Sequence, residues 1–210
     1  MKVDLIACTP DFLKVIWCAA RTCYSWLTPQ ELWESSPPRE EMLRVARRVI
    51  GSGHLSVVEH CTMTFAVSGI SRACLAQYTR HRIGVSFSVQ SQRHVDAAMT
   101  GFAHVAPPSV AENPEALAVL EEHLARSAEA YRRLVDLGVK REDARFVLPQ
   151  AAAVNLVTTL NLRSLMYVYG ERVAKPGAQW EIREMVARFA GLVVAREPWL
   201  SEYFPEARPA

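Results

Sequence analysis

Lysine is nearly absent from this chain: Lys2, Lys14, Lys140 and Lys175 are the only ones in 210 residues, so arginine carries most of the positive charge. The formal net charge is only +2, and so weak an overall field gives no reason to expect binding to a polynucleotide. Cysteine is sparse too. Cys8, Cys18, Cys23, Cys61 and Cys74 form no Cys-x-x-Cys pair and no dense framework, and they read as reduced thiols of a cytoplasmic protein. No apolar run is long enough to span a membrane. The opening residues read as a strand and not as a signal peptide. Internal repeats and low-complexity linkers are also missing. Half of the residues are hydrophobic, enough for a substantial core. The length suits one domain over residues 1–210, or one domain with a helical excursion.

Against this background, Gln77-Tyr78-Thr79-Arg80-His81-Arg82, with Ser91-Gln92-Arg93 shortly after it, stands out. Neither stretch contains an acidic residue. A guanidinium is a planar fork of donors that grips phosphate or carboxylate through two bonds, and the anions this cluster needs are not supplied locally. Flanking Ile70, Ala73, Leu75, Ile83, Val85 and Phe87 place the cluster at the end of a buried segment. A ligand's phosphates are the expected counter-charge.

The pattern of residues predicts a helix-rich α/β (α+β) fold around a small, mostly antiparallel sheet. Residues 3–7 read as a strand. Thr9 and Pro10 then supply an N-cap and a first helical position, with Leu13, Ile16, Trp17 and Ala20 facing inward. A second helix is predicted over 40–50, closed by Gly51-Ser52-Gly53. A strand is expected over 62–68, and Ser71 can cap a helix that ends near Arg80. Asn113-Pro114-Glu115 opens a long helix to about Gly138. A short helix follows over 141–147, then a buried extended run over 151–160. A helix capped by Asn161 is predicted to reach Arg172, and another to cover 179–196.

Other polar groups stand near these elements. His54, Ser56, Glu59 and His60 lie close together, but the histidines lack the one-turn spacing of a helical zinc motif, so no metal is expected. Glu59 is a natural partner for an arginine. Asn161 can act simply as an N-cap. Ser91 has no paired general base in the sequence, which favours ligand binding over a nucleophilic role. Cys23, Cys61 and Cys74 read as core residues or neutral neighbours.

The ordered set His54-x-Ser56-x-x-Glu59-His60, Ser71-Arg72, Gln77-x-x-Arg80-His81-Arg82 and Ser91-x-Arg93 resembles the flavin-dependent thymidylate synthases. The likeness begins at Ala19-Ala20-Arg21-x-Cys23-Tyr24. It continues through Ala144-Arg145-x-x-Leu148-Pro149, Asn161-x-Arg163, Arg172 and Gln179-Trp180-Glu181 to about Arg183. It implies that fold and a cytoplasmic homotetramer with active sites between subunits. It also implies reductive methylation of dUMP to dTMP, with FAD as cofactor and methylenetetrahydrofolate and NADPH as co-substrates. The residues that match the family's FAD positions are His54, Ser56, Glu59, Arg80, His81, Arg82, Asn161 and Arg163, with Tyr167 nearby. Those that match its dUMP positions are Gln77, Arg80, Val89, Gln90, Ser91, Gln92, Arg93, Arg145 and Arg172. Arg172 matches the arginine that holds the uracil ring and favours ionisation or polarisation at N3.

Three departures stand out. Eight residues, not the family's common seven, separate the triplet from Ser91, and Gly84 is the place where an extra residue is most easily absorbed. Val89 stands where an acidic residue is frequent, and Tyr167 where histidine or asparagine is usual. The alternative to an enzyme is a nucleotide- or RNA-binding module built on the arginine cluster, which would bind polynucleotides in a salt-dependent way. The low net charge and the lack of aromatic interleaving argue against it.

Overall fold

A computed structural model describes residues 1–208. In chain order the elements are β1 (Lys2–Cys8), α1 (Phe12–Thr22), α2 (Pro29–Glu34), α3 (Arg39–Gly51), β2 (Thr62–Ser71), α4 (Arg72–Tyr78) and β3 (Val85–Val89). There follow α5 (Pro108–Ala111), α6 (Pro114–Asp136), α7 (Arg141–Ala144), β4 (Ala153–Asn161), α8 (Leu162–Tyr169) and α9 (Trp180–Arg196). The strands make one small, mostly antiparallel sheet in the order β1-β2-β4-β3. The fold class expected from the sequence is the one observed. The chain forms two compact units, each assembled from separated segments.

The larger unit takes residues 3–66, 81–87 and 157–208. Helix α1 buries Phe12, Leu13, Ile16, Trp17 and Ala20, a face worth roughly 1.5–3 kcal/mol for each large side chain. Phe65 of β2 stacks on Phe189 of α9 with ring centroids 4.3 Å apart. Glu197 is buried behind α1. One of its oxygens accepts from the Phe12 N–H at 3.2 Å and the other from the Trp199 indole at 2.9 Å. It thereby satisfies a donor that the start of a helix otherwise leaves open. Gly191 lets the chain end return across α9: a Cβ there would run into the Arg208 carbonyl, whose residue donates its N–H to Ala187.

The second unit takes residues 1–2, 67–80 and 88–156. Its long helix α6 is the helical excursion. Asn113 caps it by accepting from Glu115 and Ala116. The helix is anchored by Ala128 and Tyr131, and Phe102 meets Tyr131 edge-on at 5.7 Å. This unit's part of β4 alternates, with Val154 and Leu156 buried and Asn155 exposed between them, as a half-covered strand should.

Several local expectations need correction. Thr9 does not cap α1; Asp11 does, by accepting from Lys14 N–H, because Thr9 is drawn into pairing with Thr62, whose N–H donates to the Thr9 hydroxyl. Helix α2 was not anticipated, although Thr28 and Glu31 form a full capping box. Strand β3 and helix α5 were missed too: β3 is short, and α5 is a single turn opened by Pro108. The predicted helix from Asn161 to Arg172 changes character at Gly170, where residues Gly170–Ala174 widen into a π-helical stretch. The α-helix itself therefore ends at Tyr169, before Arg172. Of the cysteines, Cys61 and Cys74 are buried and Cys23 is exposed.

Glu197→Ala should leave the Phe12 and Trp199 donors without partners and destabilise the protein by about 1–3 kcal/mol. Urea unfolding checks this. An unchanged midpoint would show that Glu197 does not anchor α1.

Candidate active site

The RHR triplet follows the end of α4, whose N-terminus is capped by Ser71 through the Cys74 N–H. After Arg82 the chain turns at Gly84, with φ +65°, a conformation that glycine adopts without strain. The turn packs against the start of α8. Asn161 caps that helix, its Oδ1 accepting from Ser164 N–H at 2.8 Å. The Ser164 hydroxyl donates to the Ile83 carbonyl at 2.9 Å. A Cβ at position 84 would come within 2.9 Å of Asn161 Nδ2 and closer still to Ser164 Oγ. Thus the cap residue Asn161 and the residues after the triplet are locked together, and Gly84 is the turn that permits it.

Other members of the expected flavin set lie in the same unit. A 3-10 stretch, Leu55–His60, follows His54 and carries exposed Ser56 and Glu59. Glu59 pairs with Arg163 at 2.5 Å, the partnership anticipated for it. His54, Arg82 and Tyr167 are exposed. His81 is buried, with Tyr167 edge-on at 6.0 Å, and it accepts a hydrogen bond at Nε2 from Arg172 Nε at 2.8 Å. Arg80 belongs to the other unit, where it lies exposed at the end of the α4 segment.

The expected dUMP residues, Arg172 apart, fall in the second unit. Val89 ends β3, and Gln77 lies on α4, its amide 3.4 Å from the Ala73 carbonyl. Gln90 is fixed three ways: its N–H donates to the Asn155 carbonyl, its side-chain oxygen accepts from Asn155 Nδ2, and its carbonyl accepts from Arg72 Nη2 at 3.2 Å. Ser91 shapes the next turn, its hydroxyl accepting from Arg93 N–H at 3.2 Å. Glu142 gathers two arginines: its carboxylate pairs with Arg93 at 2.9 Å, and its carbonyl accepts from Arg145 Nε at 3.0 Å. A cavity of about 50 Å³ runs behind this turn, lined by Arg72, Gln90, Ser91, Gln92, Phe102 and His104 among others.

Arg72, Glu142 and Asn155 stand outside the residues matched to ligands in the sequence. Arg72 carried a local signal: a cation in the first turn of a helix opposes the helix dipole. Its Nε is buried without a partner. Burial, and then the charge of Arg145, push its pKa below the usual guanidinium range, the condition of a cation short of an anion. Cys61 is buried, and burial pushes its thiol up to about 12, which disfavours the thiolate.

A family profile described as thymidylate synthase complementing protein matches residues 4–199. The flavin-dependent thymidylate synthase of Geobacter sulfurreducens is 40% identical over 209 residues, covering 100% of this chain and 88% of its own. That of Thermococcus kodakarensis is 45% identical over 192 residues, covering 88% of this chain and 75% of its own. The fold is also that of the UMP/dUMP methylase PolB from Streptomyces cacaoi, with a TM-score of 0.83 at 23% identity over 97% of this chain and 94% of that one. Thymidylate synthase X from Helicobacter pylori, solved with FAD and dUMP, gives a TM-score of 0.71 at 24% identity, covering 95% and 97% of the two chains. Family and fold thus converge on a class of nucleotide-modifying enzymes. Within that class, the chain belongs to the flavin-dependent thymidylate synthases.

Gly84→Ala should force the turn away from Asn161 and Ser164, costing about 2 kcal/mol or more. It should also raise hydrogen exchange at the Ser164 amide. Unaltered exchange and unaltered melting would show that the turn tolerates a side chain.

Proposed function

We propose that the protein converts dUMP to dTMP, using methylenetetrahydrofolate as carbon donor, FAD as cofactor and NADPH as reductant. It does so as a cytoplasmic homotetramer whose active sites form between subunits, each chain acting as one catalytic domain. The observation that carries this reading is the set of arginines for which the chain provides few anions. Arg72 has a buried Nε without an acceptor, and Arg145 is the neighbouring charge that adds to its perturbation. The charge of Arg72 behind the turn adds to that of Arg145, and a dUMP phosphate held by Arg145 would answer both.

The donor set of the larger unit suits a flavin dinucleotide. Arg82 and Arg163 offer charged forks for its phosphates, Ser56 and Asn161 offer neutral donors, and His54 and Tyr167 offer rings. When bound, FAD carries the hydride equivalents that no side chain can carry. The chain's own task is to bind, orient and exclude water. Gln77, Arg80, residues 89–93 and Arg145 hold the nucleotide. Arg172 holds the uracil edge, where a fixed guanidinium stabilises negative charge developing at N3. No protein nucleophile is required, in keeping with a Ser91 hydroxyl engaged in its own turn.

The test is anaerobic turnover with FAD, NADPH, methylenetetrahydrofolate and dUMP, with UMP as a parallel substrate. Bleaching of the bound flavin by NADPH and formation of dTMP are the expected results. A protein that takes up no FAD would sink the reading. Methylation of UMP in preference to dUMP would reassign the substrate. Arg172→Ala should lower turnover by about a hundredfold to a thousandfold, on the order of 3 kcal/mol, while leaving flavin binding in place.

A further inference from the structure

Arginine does not give up its proton in proteins, so a nitrogen that accepts from its Nε must carry a lone pair. His81 Nε2 is such a nitrogen, 2.8 Å from Arg172 Nε. The imidazole is therefore neutral and carries its proton on Nδ1. The ring is only 9% exposed and meets Tyr167 edge-on, which limits its freedom to turn. Its partner projects from the π-helical stretch Gly170–Ala174, a distortion that recurs at functional sites. The stretch is closed by the Lys175 N–H donating to the Gly170 carbonyl at 3.1 Å.

We infer that His81 is a positioning residue for Arg172: as a neutral, Nδ1-protonated ring it fixes the direction of the guanidinium fork, and it releases that fork when it takes up a proton. The inference rests on the proposed function, in which Arg172 holds the uracil. A free arginine side chain has about 2 kcal/mol of rotamer entropy to lose. Tying Nε beforehand removes part of that cost from substrate binding. Protonation reverses the arrangement. Donor then faces donor, and two cations stand at hydrogen-bond distance.

The charged surroundings do not mask this change. From the π-helical stretch, Glu171 and Arg172 face the ring, and Glu171 is engaged by Lys175. The Lys175 ammonium holds the Glu171 carboxyl below its usual range, so Glu171 stays ionised throughout the interval in which an imidazole titrates. Tyr167 of α8 contributes a phenol, and Arg80 and Arg82 flank His81 in the chain with charges that do not vary there. Of these groups, an imidazole is the one whose ordinary range lies in that interval.

Two readouts test the inference. In the full-length, ¹⁵N-labelled protein, ring-nitrogen shifts should show the Nδ1–H tautomer for His81, assigned by its loss in His81→Gln. A protected Arg172 Nε–H resonance should disappear as the ring is protonated. An Nε2–H tautomer, or an Arg172 signal indifferent to His81, would overturn the inference without any need for a ligand. In the FAD-loaded protein, dUMP binding should weaken by about tenfold on the acid side of the imidazole transition, the size of one hydrogen bond to a charged group. His81→Gln, which can accept but does not titrate, should show no acid limb and should bind dUMP more tightly than His81→Phe. An acid limb retained in His81→Gln would refute the inference. If the FAD-loaded wild type binds no dUMP at any pH, the proposed function falls instead, and the tautomer measurement still decides the role of His81.

Discussion

A side chain at position 84 would collide with Ser164 and Asn161, so the main chain reaches the start of α8 only because glycine stands there. That close approach governs the geometry on both sides of it. The Ser164 hydroxyl is held by the Ile83 carbonyl on one side, while its N–H is held by Asn161 on the other. The residue that caps α8 and the turn after the triplet are therefore one hydrogen-bonded object. Fixing α8 fixes the π-helical stretch that continues it, and with it the point from which Arg172 projects onto His81. A single missing Cβ thus sets the relation between the triplet and an arginine ninety-one positions further along the chain.

The arginines proposed to hold a ligand need to be kept in order before it arrives. This chain does so with carboxylates it can spare. Glu59 holds Arg163, and Glu142 holds Arg93 while its carbonyl directs Arg145. All four ion-pairing side chains are more than a third exposed, and pairs of this kind contribute between nothing and about 1 kcal/mol. They are strong enough to bias a rotamer and weak enough for a phosphate to displace. Arg72 is a different case. Its Nε is buried, its Nη2 is tied to the Gln90 carbonyl, and its buried nitrogen has no carboxylate to stand in for the missing anion. It stiffens the turn from behind, where Asn155 holds the other side of Gln90.

The sequence revealed the long, strongly patterned elements: α3, α6 and α9 lie where their apolar spacing placed them, and α1 lies close to its predicted place but starts at Phe12. It revealed the arginine cluster because so many donors without acids are conspicuous. The features it concealed depended on competition between partners. Thr9 looks like a cap but is taken by strand pairing with Thr62, and Asp11 replaces it. The π-helical stretch has no composition of its own, so the pattern extends a regular helix to Arg172 where α8 ends at Tyr169. Arg72 was visible in the motif, yet its burial and its tie to Gln90 come from residues brought together by folding. The His81–Arg172 bond joins two positions, each legible alone, whose pairing is a property of the tertiary structure.

The extra residue between the triplet and Ser91 can be located by the same kind of reasoning. Strand β3 alternates, with Val85, Phe87 and Val89 partly covered and Ser86 and Ser88 exposed. One residue added inside the strand would exchange the two faces and turn these apolar side chains outward. It would also disturb the bond from the Thr158 hydroxyl to the Ser86 carbonyl. A bulge would be needed to restore the register, yet β3 is an uninterrupted strand of five residues. An addition before Val85, at the Gly84 turn, where positive φ already departs from the strand, would leave β3 undisturbed. The same alternation explains why valine can stand at position 89. It shares a face with Val85 and Phe87, so an apolar side chain there extends a covered stripe, and the turn at Gln90 and Ser91 begins from a strand end that packing has already fixed.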